Sequence, residues 1–143
     1  MLQTIKKRTF SELVVGQTAE AMRIVTEDMV MAFAKVSLDY NPIHLDEVYA
    51  ATTPFKSRIA HGALITSFVS GLIGMELPGP GTVAIALNLK FRKPVYMNQA
   101  VITKVVITEI DNRRGFITLA CACYVEGSPV IKGEALVNFP LGE

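Results

Sequence analysis

Residues 62–75 read GALITSFVSGLIGM, a stretch of fourteen residues that contains no charged side chain. A helix that is apolar almost all round is buried rather than laid on a surface. A bilayer span needs about 20 mostly apolar residues. This stretch is shorter and is followed by Glu76 and the helix breakers Pro78-Gly79-Pro80-Gly81. The stretch therefore predicts a long buried helix and no membrane span.

Strand-like segments surround this helix in the sequence. Segments rich in β-branched and alternating apolar residues are separated by turn residues, a pattern typical of antiparallel strands. The predicted strands are residues 19–25, 82–91, 101–110, 116–125 and 130–139. A sheet of this kind can curl over one apolar helix, which predicts an α+β fold with the sheet wrapped around the central helix. No linker or repeat divides the sequence, so we expect one domain over residues 1–143.

Helix signals also precede the apolar stretch. Thr26 stands before two acids and before apolar residues at helical spacing over 29–36, which predicts a capped helix that ends before Asn41. Asp46 predicts the start of a second, short helix that ends near Pro54. This interpretation places His44 between the two helices.

Composition excludes several classes of function. Lys and Arg number 14 against 13 Asp and Glu, so the chain has no basic patch of the size that nucleic-acid binding requires. Hydrophobic residues make up 50% and charged residues 19%, which predicts an apolar surface covered by a second copy. Residues 1–8 lack the apolar core of a signal peptide, and Cys121 and Cys123 are interpreted as buried thiols. We therefore expect a cytoplasmic oligomer.

Asp39 and His44 flank the one Asn-Pro dipeptide of the chain, and the second of its two histidines is His61. Either residue alone is more simply explained as a capping or turn residue. A carboxylate beside an imidazole, however, can raise its pKa and share one water with it. The pair therefore predicts general acid-base chemistry on a bound water.

The sequence lacks the residues that several other kinds of chemistry need. Two histidines and two strand cysteines do not make a metal-ligand set, and no nucleophile elbow, phosphate loop or dinucleotide fingerprint occurs, so we expect neither metal nor cofactor. Gly62 either makes a tight turn into the helix or lets a ligand oxyanion approach the first free N–H groups. Ser70 either bonds the backbone of its own helix or faces the ligand.

The motif Asp39-Tyr40-Asn41-Pro42-Ile43-His44 matches the signature D-x-N-P-x-H, and His61-Gly62 matches the block that follows it. The similarity continues through 70–72, 77–79 and 89–95. On these residues the chain resembles the MaoC-like hydratases, in particular the (R)-specific enoyl-CoA hydratases of the hot-dog fold. The resemblance implies that fold, and a homodimer whose acyl-CoA tunnels run near the subunit interface.

The resemblance also implies an activity and a set of roles. Asp39 and His44 would hold a water that adds to the β-carbon of a trans-2-enoyl thioester, which gives an (R)-3-hydroxyacyl product. Asn41 would position the loop or the catalytic pair, Gly62 would supply an N–H to the oxyanion, and Ser70 would line the site. The thioester would be carried by CoA or by acyl carrier protein.

Two alternatives remain open. A hot-dog thioesterase acts on the same thioesters, but such enzymes often place an acid on the central helix, and 62–75 contains none. A non-catalytic acyl-CoA-binding subunit would be expected to lack one member of the pair, whereas this chain has both Asp39 and His44.

Overall fold

A computed structural model describes residue 5 and residues 7–142 of the 143-residue chain. The five strands form one antiparallel sheet in the order β1-β3-β4-β5-β2. Their bounds are β1 (Thr18–Ile24), β2 (Val83–Phe91), β3 (Ala100–Asp111), β4 (Phe116–Val125) and β5 (Ser128–Asn138). Every predicted strand is present, within two residues of its predicted ends.

Four α-helices lie between β1 and β2, and a 3₁₀ turn (Phe10–Glu12) precedes β1. The helices are α1 (Glu27–Ser37), α2 (Pro42–Leu45), α3 (Glu47–Ala51) and α4 (Gly62–Met75). The Thr26 and Asp46 side chains accept hydrogen bonds from the third residue beyond each, which confirms both predicted caps. Helix α1 ends where Leu38 adopts a left-handed conformation with φ of 63°.

Helix α4 packs its apolar face on the sheet and contacts β1, β2, β3 and β4. Its buried side chains are Leu64, Ile65, Phe68, Val69, Leu72 and Ile73. Each such side chain stabilises the fold by roughly 1.5–3 kcal/mol when it leaves water. The opposite face carries small, exposed residues, among them Ser67, Ser70 and Gly71. The α+β class is thus confirmed, as an antiparallel sheet with the predicted helix packed on it.

Strand β5 begins two residues earlier than its sequence pattern predicts. Glu126 and Gly127 have φ values of 50° and 80°, so they alone make the turn from β4. Two consecutive residues with positive φ twist the backbone in the sense that a tight hairpin needs. Ser128 and Pro129, interpreted as turn residues, therefore belong to the strand, where Pro129 lies opposite Tyr124 beside a register shift.

Strand β2 lies at one edge of the sheet and is apolar on exposed positions. Val83, Ile85, Leu87 and Phe91 are 48–64% exposed. A long apolar edge of this kind offers free backbone N–H and C=O groups as well as side chains to another strand. The feature agrees with the apolar surface that composition predicts.

Both cysteines of β4 are buried thiols, as predicted. Burial raises the pKa of the Cys121 thiol to about 12 and also raises the pKa of Cys123. Within the described part of the chain, no helix has the length and apolar content that crossing a membrane requires. The signal-peptide interpretation rests on residues 1–8, of which 1–4 and 6 lie outside the described residues, and the domain bounds 1–143 stay a prediction.

Candidate active site

His44 lies between the two predicted helices, α1 and α3, but within a short helix, α2, that the sequence did not predict. Pro42 occupies the first position of α2, where its missing N–H is not needed, and the Asn41 side chain accepts a hydrogen bond from the Ile43 N–H at 3.1 Å. The Asn-Pro dipeptide therefore starts a helical turn, whereas the sequence predicts only that α1 ends before it. This turn buries the His44 side chain, which is 8% exposed.

The surroundings of His44 select one tautomer. Its Nδ1 lies 2.7 Å from the carbonyl oxygen of Ile59. A carbonyl only accepts, so Nδ1 carries the proton and Nε2 keeps a free lone pair. Burial lowers the pKa of His44, an effect that the Ile59 carbonyl and the nearby Asp39 carboxylate oppose. The ring is therefore held neutral and ready to accept a proton at Nε2.

Ile59 was not singled out by sequence analysis, although its carbonyl orients His44. Three backbone contacts hold its segment. The Ile59 N–H donates to the Ile43 carbonyl at 3.2 Å, the Ala60 N–H donates to the Val95 carbonyl at 2.7 Å, and Ile59 bridges to Tyr96. No side-chain pattern encodes such a role, because the contact uses a carbonyl that every residue has.

Asp39 lies in the loop between α1 and α2, held by bonds to its neighbours. Its Oδ1 accepts from the Asn41 N–H at 3.2 Å, and its own N–H donates to Ser37 Oγ at 3.1 Å. One acidic or ring-nitrogen atom each from Asp39, His44 and His61 lies within 4.8 Å of the others. The structure thus brings the predicted pair together, with Asp39 exposed and His44 buried.

His61 lies beneath the pair and is 1% exposed. Its ring stacks on that of His44, with centroids 3.9 Å apart and planes 30° apart, and its Nε2 lies 2.9 Å from the Asp39 carbonyl oxygen. Sequence analysis used His61 only as part of a motif. The signal that distinguishes it is its position directly before the buried helix, where the preceding residue must pack inward.

The three side chains are the group within residues 5 and 7–142 whose ligand atoms approach closely enough to share a metal ion. A ring nitrogen directs its lone pair in the plane of its ring. The His44 and His61 rings lie 3.9 Å apart with a tilt of 30° between their planes. One nitrogen of each ring is engaged with a backbone carbonyl, Nδ1 of His44 with Ile59 and Nε2 of His61 with Asp39, which leaves one nitrogen of each for other partners.

A cavity of about 580 Å³ opens beside His44. Its walls are mainly apolar, with Phe55, Phe91 and Ile131 among them, and they include Gly62 and Ala63. These are the first two residues of α4, whose N–H groups have no acceptor within the helix. A Cβ on Gly62 would lie 2.5 Å from the Phe91 ring, so glycine allows that ring to pack against the amino end of α4.

Two residues predicted for the site stand apart from this cavity. Asn41 caps α2 and is exposed, so its contact to the pair is through its N–H to Asp39. Ser70 is exposed on α4 and does not line the cavity of a single chain.

The loops contain four basic residues that are candidates for phosphate contacts: Lys56, Arg58, Arg92 and Lys93. Arg92 and Lys93 lie at the cavity wall, whereas Lys56 does not. Arg58 is committed elsewhere, since its guanidinium bonds Glu27 at 2.6 Å and Glu47 at 2.8 Å. Arg92 and Lys93 are therefore the cations placed to meet an anion that enters the cavity.

Comparison with known proteins shows which family the chain resembles over most of its length. The family model described as a MaoC like domain matches residues 11–123, which include Asp39, His44 and His61. An (R)-specific enoyl-CoA hydratase of Rhodospirillum rubrum is 40% identical over 92% of this chain and 91% of its own length. A 3-hydroxybutyryl-CoA dehydratase of Methylorubrum extorquens is 41% identical over 100% of this chain and 91% of its own length. The chain therefore belongs to the MaoC-like family.

The fold has the same relatives. The (R)-hydratase from A. caviae involved in PHA biosynthesis superposes with a TM-score of 0.87 at 38% identity, covering 90% of this chain and 98% of its own. The R-hydratase PhaJ1 from Pseudomonas aeruginosa superposes with a TM-score of 0.88 at 38% identity, covering 94% and 86%. The chain is a hot-dog-fold enzyme of the hydro-lyase class.

Proposed function

We propose that the protein hydrates trans-2-enoyl-CoA to (R)-3-hydroxyacyl-CoA, and catalyses the reverse dehydration, through Asp39 and His44. The observation that carries the proposal is the His44 ring on the cavity wall. Its Nδ1 proton is committed to the Ile59 carbonyl at 2.7 Å, and the Asp39 carboxylate is its neighbour. The relatives of similar length named as enoyl-CoA hydratase and 3-hydroxybutyryl-CoA dehydratase support the same reaction.

The step adds the elements of water across one double bond. The neutral His44 Nε2 and the ionised Asp39 hold a single water between them. As the water oxygen bonds the β-carbon, its O–H bond breaks and the pair takes up the proton. The α-carbon then receives a proton from the pair on the same face, so the pair ends in its initial state. A base whose pKa lies near the working pH serves both halves of this exchange.

Charge develops on the thioester oxygen while the β-carbon is attacked. Gly62 and Ala63 line the cavity at the positive end of the α4 dipole, where the first N–H groups of a helix have no acceptor within it. Donors fixed before the reaction stabilise the enolate oxygen more than they stabilise the ground-state carbonyl, and this difference lowers the barrier. Gly62 is thus assigned the oxyanion contact, with Ala63 beside it.

The substrate class follows from the cavity. Its apolar wall suits an acyl chain, and Arg92 and Lys93 suit the phosphates of CoA, which also form part of an acyl carrier protein arm. Because the chain has unbridged thiols, Cys121 and Cys123, we place this activity in the reducing cytoplasm.

Two copies make the working enzyme in this proposal. The exposed apolar strand β2 is the surface that a second chain would cover, by pairing along the free edge of the sheet. The small, exposed face of α4, with Ser70 on it, is a second surface that a partner could cover. In this proposal Ser70 would line the acyl path only in the dimer, because it lies outside the cavity of one chain.

The test is hydration of crotonyl-CoA by the purified protein. We expect loss of the enoyl absorbance without release of free thiol, and a kcat lowered about 10²- to 10⁴-fold in Asp39→Asn and in His44→Ala. Asp46→Asn is the matched control. It makes the same change in the next carboxylate, and Asn caps α3 as well as Asp does. An Asp39→Asn variant as active as Asp46→Asn contradicts the mechanism.

The thioesterase alternative gives a different product. Hydrolysis releases CoA as a free thiol and leaves the double bond in place, so the two signals in the same assay separate the two reactions. Dehydrogenases of known handedness, applied to the hydrated product, check the (R) configuration. A product oxidised only by an (S)-specific dehydrogenase would contradict that assignment.

A further inference from the structure

His61 contacts both members of the proposed pair without lining the cavity. Its Nε2 lies 2.9 Å from the Asp39 carbonyl oxygen, and its ring lies 3.9 Å from that of His44. On a third side it meets the Phe33 ring of α1, with centroids 4.9 Å apart. Through one side chain, the residue before α4 is joined to α1, to α2 and to the loop that carries Asp39.

The hydrogen bonding of His61 is incomplete in a way that packing alone does not explain. The Asp39 carbonyl accepts, so Nε2 of His61 carries the proton and Nδ1 is left as an acceptor. Nδ1 has no hydrogen-bond partner in the part of the chain that the structure describes. A buried acceptor without a donor destabilises a fold, and a phenyl ring of similar shape would avoid that penalty. Such exceptions in native structures call for a functional explanation.

Among the described residues, the one hydrogen bond that the His61 side chain makes goes to the backbone of Asp39. The Asp39 carboxylate is exposed, and within its loop it is held by the Asn41 N–H. The bond from His61 fixes the peptide of Asp39 from the buried side. The flat His61 ring also limits rotation of the His44 ring. The positions of both Asp39 and His44 thus depend on the His61 side chain.

We propose that His61 is a positioning residue that holds Asp39 and His44 at one water. The proposal rests on the proposed hydratase function. The hydrogen bond from Nε2 to the Asp39 carbonyl is the main contribution, and the ring stack on His44 is the second. A misplacement of about 1 Å at a reacting group can lower a rate about a hundredfold, so a residue that touches no substrate can still set kcat.

Two variants separate the contributions. His61→Phe keeps a flat ring against His44 and Phe33 but loses the donor, whereas His61→Gln loses the ring and keeps an N–H able to reach Asp39. We expect His61→Phe to be at least as stable as the wild type, because it has no unpaired nitrogen, and to have a kcat about a hundredfold lower with KM within about threefold. We expect His61→Gln to be less stable but to recover about tenfold of that kcat.

If His61 had a purely structural role, the more stable variant, His61→Phe, would not be slower than the less stable His61→Gln. Val105→Ala, at a fully buried site on β3, serves as the control for stability, with an expected kcat within about twofold of wild type despite a lower midpoint of unfolding. A His61→Phe variant with the kcat of the wild type would overturn the proposal. So would a kcat that follows the unfolding midpoint through all three variants.

A second readout needs no substrate. Amide ¹⁵N relaxation at Asp39 and Asn41 should report faster loop motion in His61→Phe than in the wild type or in His61→Gln. If the wild type fails to hydrate crotonyl-CoA while this motion changes as expected, the hydratase function is wrong and the positioning role stands. Unchanged relaxation in His61→Phe would count against the positioning role whatever the enzyme's activity.

Discussion

At the scale of single residues, the two histidines show that the same type of side chain has different roles at different positions in the fold. His44 gives Nδ1 to a carbonyl and leaves Nε2 at the cavity, whereas His61 gives Nε2 to a carbonyl and faces no ligand. Their rings touch, yet only His44 lines the cavity. The residue type supplies the chemistry, and the direction of one hydrogen bond decides which nitrogen can use it.

The ionisation of His44 gives a prediction about pH. Burial is the largest influence and lowers the pKa of His44 below its usual 6.5, while the Asp39 carboxylate raises it. Asp39→Asn should therefore lower the pKa of His44 further, because it removes the anion that favours the imidazolium. A titration of the His44 ring signals by NMR measures the change. Asp46→Asn should leave this pKa unchanged, and a rise in Asp39→Asn would contradict the electrostatic account.

The same shift links pH to stability. Since the pKa of His44 in the fold lies below 6.5, the unfolded chain binds more protons than the native chain as pH falls past that value. The contribution of His44 to stability is thus present above pH 6.5 and is lost as pH falls through the folded pKa. In Asp39→Asn this loss should be larger, which unfolding midpoints at neutral and acidic pH would show.

At the scale of elements, the site depends on short helices that have little stability of their own. Helix α2 has four residues and α3 has five, far below the length at which a helix is stable alone. Caps and tertiary contacts supply the difference. Arg58 is the main such contact among charged residues, since it bonds Glu27 at the start of α1 and Glu47 at the start of α3.

Arg58→Ala should lower the free energy of unfolding by about 1 kcal/mol, because it breaks two ion pairs around a guanidinium that is 17% exposed. The two glutamates are more than half exposed, so solvent screening keeps the loss small. Arg114→Ala is the matched control, as its single contact to Asp111 spans 4.0 Å and is 73% exposed on the arginine side. That variant should change stability by less than about 0.5 kcal/mol. Urea unfolding measures both, and equal losses would contradict the role given to Arg58.

At the scale of the whole molecule, β1 and β2 form the two edges of the sheet and differ in their exposed side chains. Strand β1 carries Glu20 and Arg23 beside the exposed Met22 and Ile24, whereas residues 83–87 of β2 form an unbroken apolar run. Single apolar residues on a surface are ordinary, but a continuous apolar edge promotes pairing with another strand. The edge therefore favours a dimer built through β2.

We expect the wild type to have a solution mass twice the 15.6 kDa of one chain, as light scattering after gel filtration would measure. Leu87→Lys should shift the protein towards the single-chain mass, because it places a charge in the middle of the pairing edge. Val36→Lys is the matched control, since Val36 is 84% exposed on α1, away from β2. A wild type of single-chain mass, or equal dissociation by both variants, would contradict pairing through β2.

Local patterns in the amino-acid sequence predict much of this architecture. The alternation in the strands, the caps at Thr26 and Asp46, and the absence of charge in 62–75 each act within a few residues, so the five strands and three of the four helices were predicted. Helix α2 was not predicted, because an Asn-Pro pair can end one helix and can also cap the next. Only the surrounding tertiary contacts decide between these two outcomes.

The candidate site divides in the same way between sequence and structure. Asp39, His44 and Gly62 are predicted from sequence because their residue types carry chemistry and lie near one another in the chain. The roles of the Ile59 carbonyl, the stacked His61 ring and the Phe91 ring over Gly62 were decided by tertiary structure alone. Spacing along the chain determines which chemical groups are available to form a site. Packing between distant segments determines which atoms meet, because hydrogen bonds and ring contacts depend on positions in space and not on order along the chain.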